Sequence, residues 1–338
     1  MRNRQLQRYG LFLVLAMALA VLSACGQGSS GPSAPDSSSS PAPAAGSSGQ
    51  GASGDANETI TYRAANGEVQ IPKHPKRVVE LANSYVGHLL TLGIKPVGVK
   101  QQAADNPYFK GKLDGVDNLG DGQSIEKILQ LQPDLIIVLS IVEPAVLEKL
   151  SKIAPTVAIE YGKLPVREQL LEFGRMTGNE DKAKAWIERW DRKIADYRPK
   201  VKAAVGDGTV SILQPYAKGI YAFGHSFARG GEIVYGEFQL KAPPIIQKEA
   251  IDSGKGYASL SLEQLPDYAG DYVFTSPWTG DTADPEVTYG SAVWKNLPAV
   301  KNGRVFTIDR QGSLFNDPVS LEEQLEFIVG KLTGANGS

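Results

Sequence analysis

Short apolar runs and helically spaced apolar positions alternate along the first half of the chain. The apolar runs that are typical of strands occupy residues 77–81, 96–99, 135–139 and 156–159. The intervening segments with apolar residues at helical spacing are 83–92, 125–131 and 145–153. Residues 135–139 are apolar throughout, as in a strand that is covered on both faces. This alternation predicts an open, mainly parallel sheet with helices on both sides.

A β-hairpin is predicted immediately before this sheet. Residues 59–63 and 68–71 flank Asn66-Gly67, a pair that is favoured in tight turns. In a parallel α/β sheet, ligands lie beyond the carboxyl ends of the strands, and Tyr85 follows the first of these strands. Tyr85 is therefore either a ligand contact or a helix residue packed on its own lobe.

The second half of the chain repeats the pattern. Its predicted strands occupy residues 209–213, 219–223, 271–274 and 305–308, and its predicted helices occupy residues 231–238 and 321–332. We therefore predict an α/β protein with two open, Rossmann-like sheet lobes.

Two helices are predicted between the two halves, at residues 166–177 and from Glu180 onward. Gly178-Asn179 separates them, since Gly commonly ends a helix and Asn commonly begins one. An apolar stripe follows the second helix at Trp186, Trp190, Ile194 and Tyr197. Up to Tyr197 this helix is roughly 27 Å long, and it is either a strut between two lobes or an ordinary surface helix.

One short pattern occurs in both halves of the chain. A serine precedes a glutamate by two residues, and the glutamate precedes the aspartate that introduces a strand by eight. The two glutamates are Glu126 and Glu263. Each either complements a helix N-terminus or, as one of a matched pair, docks onto a basic socket of a two-fold membrane partner.

The amino terminus has the features of a secretory signal. Three arginines precede an apolar run at residues 11–22, which is too short for a permanent transmembrane helix, so residues 1–24 are predicted to be a signal peptide. The run ends in Leu22-Ser23-Ala24-Cys25, which resembles the lipobox of bacterial lipoproteins and marks Cys25, the sole cysteine, for lipidation. Residues 25–58, rich in Ser, Gly, Ala and Pro, are predicted to be a flexible tether.

The net charge of the chain and the motifs that it lacks argue against several classes of function. Of 35 basic and 37 acidic residues, the signal peptide removes three arginines, which leaves 32 against 37 and a formal charge of −5. This mild acidity argues against a nucleic-acid partner. The three histidines lack metal-ligand spacing, and the chain carries neither a nucleophile elbow nor a phosphate loop. No catalytic residue, cofactor or directly bound metal is therefore predicted.

A loop after residues 219–223 carries the best candidate chemistry. Tyr221, Phe227 and Arg229 provide aromatic faces and a planar cation, which suit a flat or oxygen-rich ligand. Arg229 could instead pair with Glu232 or Glu237. Two further groups of candidate wall residues are Trp278 with Tyr289, and Phe315 with Asn316.

Several motifs resemble those of one family, the ferric-siderophore substrate-binding lipoproteins of Gram-positive ABC importers, especially the hydroxamate-binding branch. Besides the lipobox, the resemblance depends on His74-Pro75-Lys76-Arg77-Val78-Val79, Leu92-Gly93-Ile94-Lys95-Pro96-Val97-Gly98-Val99, Pro133-Asp134-Leu135-Ile136-Ile137 and Ala228-Arg229-Gly230-Gly231-Glu232. It extends from about Ile71 to the last helix. It implies a class III binding protein whose lobes, 59–165 and 205–338, are joined through a connector at 166–204 that contains one long rigid helix.

The resemblance also implies a shallow ligand cleft between the lobes. It further implies that the protein is a monomer, attached by a lipid to the outer face of a Gram-positive cell membrane. By the same resemblance, Glu126 and Glu263 dock on arginines of the permease. Phe227 and Arg229 meet the ligand with Tyr221 nearby, and Tyr85 and Tyr161 are further candidates. The chain departs from the family at Phe227, where the hydroxamate binders have Trp, and at Pro199, which is expected to bend or end the connecting helix.

The charge of the ligand distinguishes the possible iron complexes. A tris-catecholate complex is strongly anionic and needs several cations, whereas ferric hydroxamates are near neutral or cationic. One well-placed arginine favours a hydroxamate. Catecholate siderophores, cobalamin and haem remain alternatives, as does a secreted esterase or oxidoreductase that acts on a siderophore.

Overall fold

The computed structural model describes residues 58–277 and 284–334. The predicted signal peptide, the lipidation site Cys25, the tether up to residue 57 and the candidate Trp278 all lie outside the described residues.

The predicted hairpin is confirmed, with β1 at Thr59–Ala64 and β2 at Gly67–Pro72. The Asn66 side chain joins it to the edge of the first lobe. Its Nδ2 donates to the Thr156 carbonyl at 2.9 Å, and its Oδ1 accepts from the Ala158 amide at 2.9 Å. The turn residue thus supplies both a donor and an acceptor to a strand edge that would otherwise lack partners.

The first lobe contains a five-stranded parallel sheet of order β5-β4-β3-β6-β7. Its elements in chain order are β3 (Val78–Glu80), α1 (Val86–Thr91), β4 (Gly98–Val99), α2 (Gln101–Ala104), a 3-10 turn (Pro107–Phe109), β5 (Asp117–Asn118), α3 (Ile125–Gln130), β6 (Leu135–Leu139), α4 (Pro144–Ser151) and β7 (Thr156–Ile159). Along β6, Leu135 and Ile137 pack into one hydrophobic cluster, and Ile136 packs into another. Successive side chains of a strand point to opposite faces, so the continuous apolar run fills two layers of core.

Helices α5 (Val166–Thr177) and α6 (Glu180–Val205) connect the two lobes, with Gly178 in the left-handed conformation between them. Trp186, Trp190 and Ile194 of the predicted stripe are buried and Tyr197 is partly buried, and the two Trp rings stack at 5.2 Å. The expectation that Pro199 ends the helix is wrong, because α6 continues through it for 26 residues in all, about 39 Å. Buried side chains at Val201 and Val205 hold the segment beyond the proline against the core.

The second lobe contains a five-stranded sheet of order β10-β9-β8-β11-β12. Its elements are β8 (Val210–Tyr216), β9 (Gly219–Phe223), a π-helix (Glu232–Glu237), α7 (Pro244–Ile246), a second π-helix (Gln247–Asp252), β10 (Tyr257–Leu260), a 3-10 turn (Leu262–Gln264), α8 (Leu265–Tyr268), β11 (Tyr272–Thr275), α9 (Glu286–Tyr289), α10 (Ala292–Lys295), α11 (Pro298–Lys301), β12 (Val305–Thr307), a 3-10 turn (Gly312–Leu314) and α12 (Pro318–Thr333). This sheet is mixed, since β9 runs antiparallel to both β8 and β10. The mainly parallel arrangement predicted for both halves therefore applies fully only to the first.

Two other predictions need correction. The helix predicted to run from the cap Asn83-Ser84 through Leu92 is α1, whose N-cap is Tyr85 instead, since Asn83 adopts a left-handed φ of 62°. The helix predicted at residues 231–238 is the π-helix Glu232–Glu237.

The lobes also touch directly, away from α6. Helix α1 packs on α12 so closely that a Cβ at Gly87 would overlap the Asp317 carboxylate. Nearby, Asn106 Nδ2 donates to Ser320 Oγ at 3.0 Å across the same junction. The two sheets are thus held together at two separate places, and the predicted two-lobed α/β fold is confirmed.

Candidate functional site

One face of the second sheet carries a concentration of aromatic side chains. Alternation places them there, since Tyr221 on β9 is paired with Gln214 on β8 and with Ser259 on β10. The intervening residues Ile220 and Ala222 are buried on the opposite face. The antiparallel β9-β10 pairing therefore builds a polar and aromatic platform at the edge of the lobe.

Five rings form a continuous row across this platform, which we call the aromatic row. Tyr216 stacks on Tyr221 at 4.0 Å, and Tyr221 meets the edge of Tyr257 at 5.7 Å. Tyr257 contacts Phe227 at 5.4 Å. Phe227 reaches Tyr161 of the first lobe in an edge-to-face contact at 6.4 Å. The row thus extends from one lobe to the other and brings together three of the predicted residues, Tyr161, Tyr221 and Phe227.

Arg229 lies beneath this row on a loop with unusual backbone geometry. Ala228, Arg229 and Gly230 have φ values of 60°, 58° and 85°, a left-handed run that non-glycine residues seldom adopt. The loop is held by a hydrogen bond of 2.7 Å from the Arg229 amide to the Ser313 carbonyl. Strain of this kind persists where surrounding contacts enforce it, and it is common at binding sites.

The Arg229 side chain is 8% exposed and engaged with the platform. Its guanidinium lies 4.4 Å above the Phe223 ring, while Nη1 donates to the Phe227 carbonyl at 2.8 Å and Nε donates to Gln214 Oε1 at 3.3 Å. Burial lowers the pKa of Arg229 to about 10, so the group is still cationic at neutral pH. The alternative ion pair with Glu237 is not formed, because that carboxylate pairs with Arg167 at 2.6 Å.

The carboxylate of Glu232 also holds this loop in place through hydrogen bonds. Its Oε1 accepts from the Ala228 amide at 3.0 Å and from Asn316 Nδ2 at 2.9 Å. Burial raises the pKa of Glu232, and the neighbouring Arg229 acts in the opposite direction. Burial raises the pKa of Tyr161 to about 12, and Asn316, which also bonds to Glu232, acts in the opposite direction, so Asn316 links the loop to Tyr161 of the first lobe.

Tyr85 lies in the first lobe rather than on the platform. It is 3% exposed and packs against Phe173 at 5.1 Å and His88 at 5.4 Å, which is the packed-helix alternative. Before it in the chain, the fully buried Glu80 accepts a hydrogen bond of 3.0 Å from the Ala82 amide. Burial raises the pKa of Glu80 to about 8.

The remaining aromatic candidates do not join the row in the described part of the chain. Phe315 is 3% exposed and packs edge-to-face on Phe109 at 5.8 Å, so it serves the junction between the lobes. Tyr289 hydrogen-bonds to Thr275 at 2.8 Å and packs on Trp294. Sequence reasoning missed Tyr216 and Tyr257; the alternation of Tyr257-Ala258-Ser259-Leu260 was the available signal for the second.

Glu126 and Glu263 occupy equivalent, exposed positions in the two lobes. Each is the second residue of a helical segment, α3 or the 3-10 turn Leu262–Gln264, and each segment leads into the strand beside the central strand. The Ser124 hydroxyl accepts from the Lys127 amide, and Ser261 forms a reciprocal capping box with Gln264. A hydrogen bond from Ser261 lowers the pKa of Glu263.

Within residues 58–277 and 284–334, no group of three or more His, Cys, Asp or Glu side chains is arranged to hold a metal ion. In the same part of the chain, no helix has the length and apolar character to cross a membrane.

Two α/β lobes held by a long helix, with an aromatic and cationic platform reaching from one lobe to the other, define a solute-binding protein. The chain belongs to the periplasmic binding protein family, whose profile matches residues 78–311.

The chain is similar to known members of this family over most of its length. It is 48% identical over 329 residues to the iron(3+)-hydroxamate-binding protein FhuD of Bacillus subtilis (strain 168), covering 97% of this chain and 98% of that protein. It is 35% identical over 324 residues to the iron(3+)-hydroxamate-binding protein YxeB of the same organism, covering 94% of each.

Solved structures give the same assignment of fold. A Bacillus subtilis FhuD-fold periplasmic binding protein component of a Fep/Fec-like ferrichrome ABC transporter superimposes with a TM-score of 0.76 at 52% identity, covering 80% of this chain and 99% of that one. FhuD2 of Staphylococcus aureus with bound ferrioxamine B gives a TM-score of 0.70 at 35% identity, covering 77% and 99%.

Proposed function

We propose that this protein captures a ferric hydroxamate siderophore outside the cytoplasm and delivers it to an ABC permease for iron uptake. The observation that carries the proposal is the aromatic row with Arg229 beneath it. The similarity to two iron(3+)-hydroxamate-binding proteins along nearly the whole chain supports the same ligand class.

The electrostatics of the platform suit a ligand of low net charge. Arg229 is a buried cation that already donates to Gln214 and to the Phe227 carbonyl, and Glu232 lies close enough to offset its charge. A highly anionic catecholate complex would bury several charges against Arg229, whose own charge is partly compensated, which is costly. A near-neutral hydroxamate complex needs aromatic surface and a few donors, which the row and Arg229 provide.

The chelator supplies all ligands to the iron in this proposal, so the protein needs neither a cofactor nor direct metal ligands. The protein acts as a monomer and performs no chemistry on the siderophore, in keeping with relatives that are solute-binding proteins.

In this proposal, delivery to the permease depends on the lipid anchor and on the two exposed glutamates. Lipidation of Cys25 and the tether at residues 25–58 would keep the body beside the outer face of the cell membrane, as in a Gram-positive lipoprotein. Glu126 and Glu263, one on each lobe, would then dock on basic groups of the permease. The lobes 59–165 and 205–338, joined through 166–204, hold the two carboxylates apart.

A fluorescence-quenching titration of the purified protein tests the ligand class, since the chain contains four Trp. We expect saturable quenching by ferrioxamine-type and ferrichrome-type complexes. Tighter binding of a ferric catecholate, cobalamin or haem would contradict the proposal. Mass spectrometry of the recovered ligand tests the rival enzyme function, for which a modified siderophore would be required.

A further inference from the structure

Each lobe has a concave groove near the segment that carries its exposed glutamate, and Glu263, though not Glu126, contributes to the lining. In the first lobe, a groove of about 350 Å³ is lined by Leu81, Gln123, Leu139, Ile141 and Val146. Gln123 precedes Glu126 by three residues, so this groove opens next to the amino end of α3.

The second lobe has the corresponding groove, with a volume of about 420 Å³, and Ile220, Leu262, Glu263 and Val287 all contribute to its lining. The two grooves match in topology. Strands β6 and β11 each lie next to the central strand of their sheet, and each is preceded by the segment that carries the glutamate. Ile141 follows β6, and Val287 lies on the first helix after β11.

Ile141 and Val287 are unusually exposed for aliphatic residues, at 85% and 73%. Five large hydrophobic side chains are exposed in the described part of the chain, and two of them, Tyr161 and Tyr257, belong to the aromatic row. The other three are Ile141, Val287 and Leu129, which lies on α3 with Glu126. A single exposed aliphatic side chain needs no explanation, but one on each lobe does, when both lie in the segment that follows the strand introduced by the glutamate and both line a groove that also contains carboxylates.

We infer that Ile141 and Val287 are apolar anchors that seat in the same two-fold membrane permease that Glu126 and Glu263 engage. This inference rests on the proposed function, because it assigns a partner to the delivery step. In this arrangement, the carboxylates select and orient a basic partner, while the aliphatic side chains add affinity by leaving water.

Charge complementarity favours a permease over a second copy of this chain. Two copies meeting through these surfaces would oppose Glu126 and Glu263 to one another on bodies that each carry a formal charge of −5, from 32 basic and 37 acidic residues. Like charges that face each other across an interface oppose association. A partner with two basic sockets related by a two-fold axis matches the acid and the anchor on both lobes at once.

The test replaces the chromosomal gene with one that encodes the double variant Ile141→Ser, Val287→Ser. The three measurements are uptake of radiolabelled ferric ferrioxamine by whole cells, the amount of protein at the cell surface, and ligand affinity of the purified protein. We expect unchanged affinity and surface amount, with uptake reduced about ten-fold, as for loss of interface anchors. The control Ile141→Val, Val287→Ile keeps both sites apolar and should transport as the unaltered protein does.

The outcomes separate this inference from the proposed function. If the unaltered protein binds no ferric hydroxamate, the proposed function itself fails in the titration, before transport is measured. If it binds and delivers the ligand but the serine variant transports normally, only the anchor inference is overturned. A concentration-dependent dimer that the serine variant no longer forms would assign the surface to self-association and would also overturn the inference.

Discussion

Tyr161 and Phe227 meet edge to face with their ring centroids 6.4 Å apart, although they belong to different lobes. This contact completes the aromatic row from the second sheet to the first lobe. It brings one partly exposed ring from each lobe together beside the loop that carries Arg229.

Arg229→Ala is expected to weaken binding of ferric ferrioxamine by about 10- to 100-fold, since a charge-assisted hydrogen bond contributes roughly 1.5–3 kcal/mol. The measurement is the quenching titration, with circular dichroism to confirm folding. Arg304→Ala is a matched control, because Arg304 also lies over an aromatic ring, that of Tyr272 at 4.7 Å, outside the platform. Equal affinities for the Arg229 variant and the unaltered protein would show that Arg229 does not contribute to ligand binding.

Tyr257→Ala should weaken the same binding by about 3- to 10-fold, because it removes the ring that links Tyr221 to Phe227. Tyr257→Phe keeps the ring and is expected to retain most of the affinity. If the phenylalanine variant loses as much affinity as the alanine variant, the hydroxyl rather than the aromatic row is responsible.

The double change Glu126→Ala, Glu263→Ala should leave ligand affinity intact and abolish uptake of ferric siderophore by cells. Both side chains are exposed and lie at helix starts, and neither belongs to the aromatic row, although Glu263 lines the same groove as Tyr216. Glu148→Ala, Glu323→Ala, at two exposed positions, is a control with the same charge change. Normal uptake by the Glu126, Glu263 variant would exclude the docking role.

Stability should fall as pH rises, through Glu80. Burial raises its pKa from the usual 4.5 to about 8, so the folded state binds a proton that the unfolded state releases in this window. Stability from this group is therefore complete below about pH 4.5 and is lost as pH rises toward 8. Glu80→Gln can still accept the Ala82 hydrogen bond and should flatten this part of the profile. The measurement is the free energy of unfolding by urea, from pH 5 to 9, for the variant and for the unaltered protein. If the two stability profiles are parallel, the pH dependence does not come from Glu80.

Gly87→Ala should destabilise the protein by about 1–3 kcal/mol, since the added methyl group would overlap Asp317 across the junction between the lobes. Gly236→Ala is the matched control, because a Cβ there meets nothing within 4 Å. Thermal unfolding compares the two variants, and equal midpoints would show that α1 and α12 can separate at little cost.

The local pattern of the chain was enough to locate most of the fold. The bounds of β6, β7, α5 and β9 agree with the prediction, because continuous apolar runs and a Gly stop signal are local properties. Strand β10 was missed because it is a short edge strand that is defined by its antiparallel partner. The buried state of Arg229 depends on Ser313 and Gln214, which are distant in the chain, so no local pattern could reveal it.

The lobes are joined both through α6 and through the contact between Gly87 on α1 and Asp317 at the start of α12, and this double attachment has a mechanical consequence for transport. A hinge needs one axis about which two bodies rotate, whereas two separated attachments resist any rotation that would open one of them. Empty and loaded molecules would then present nearly the same outline to the membrane. Under the proposed function, an importer that must avoid futile cycles could not distinguish a loaded from an empty carrier by its shape, and would have to detect the iron complex itself, which the proposal places beside Tyr161 and Phe227.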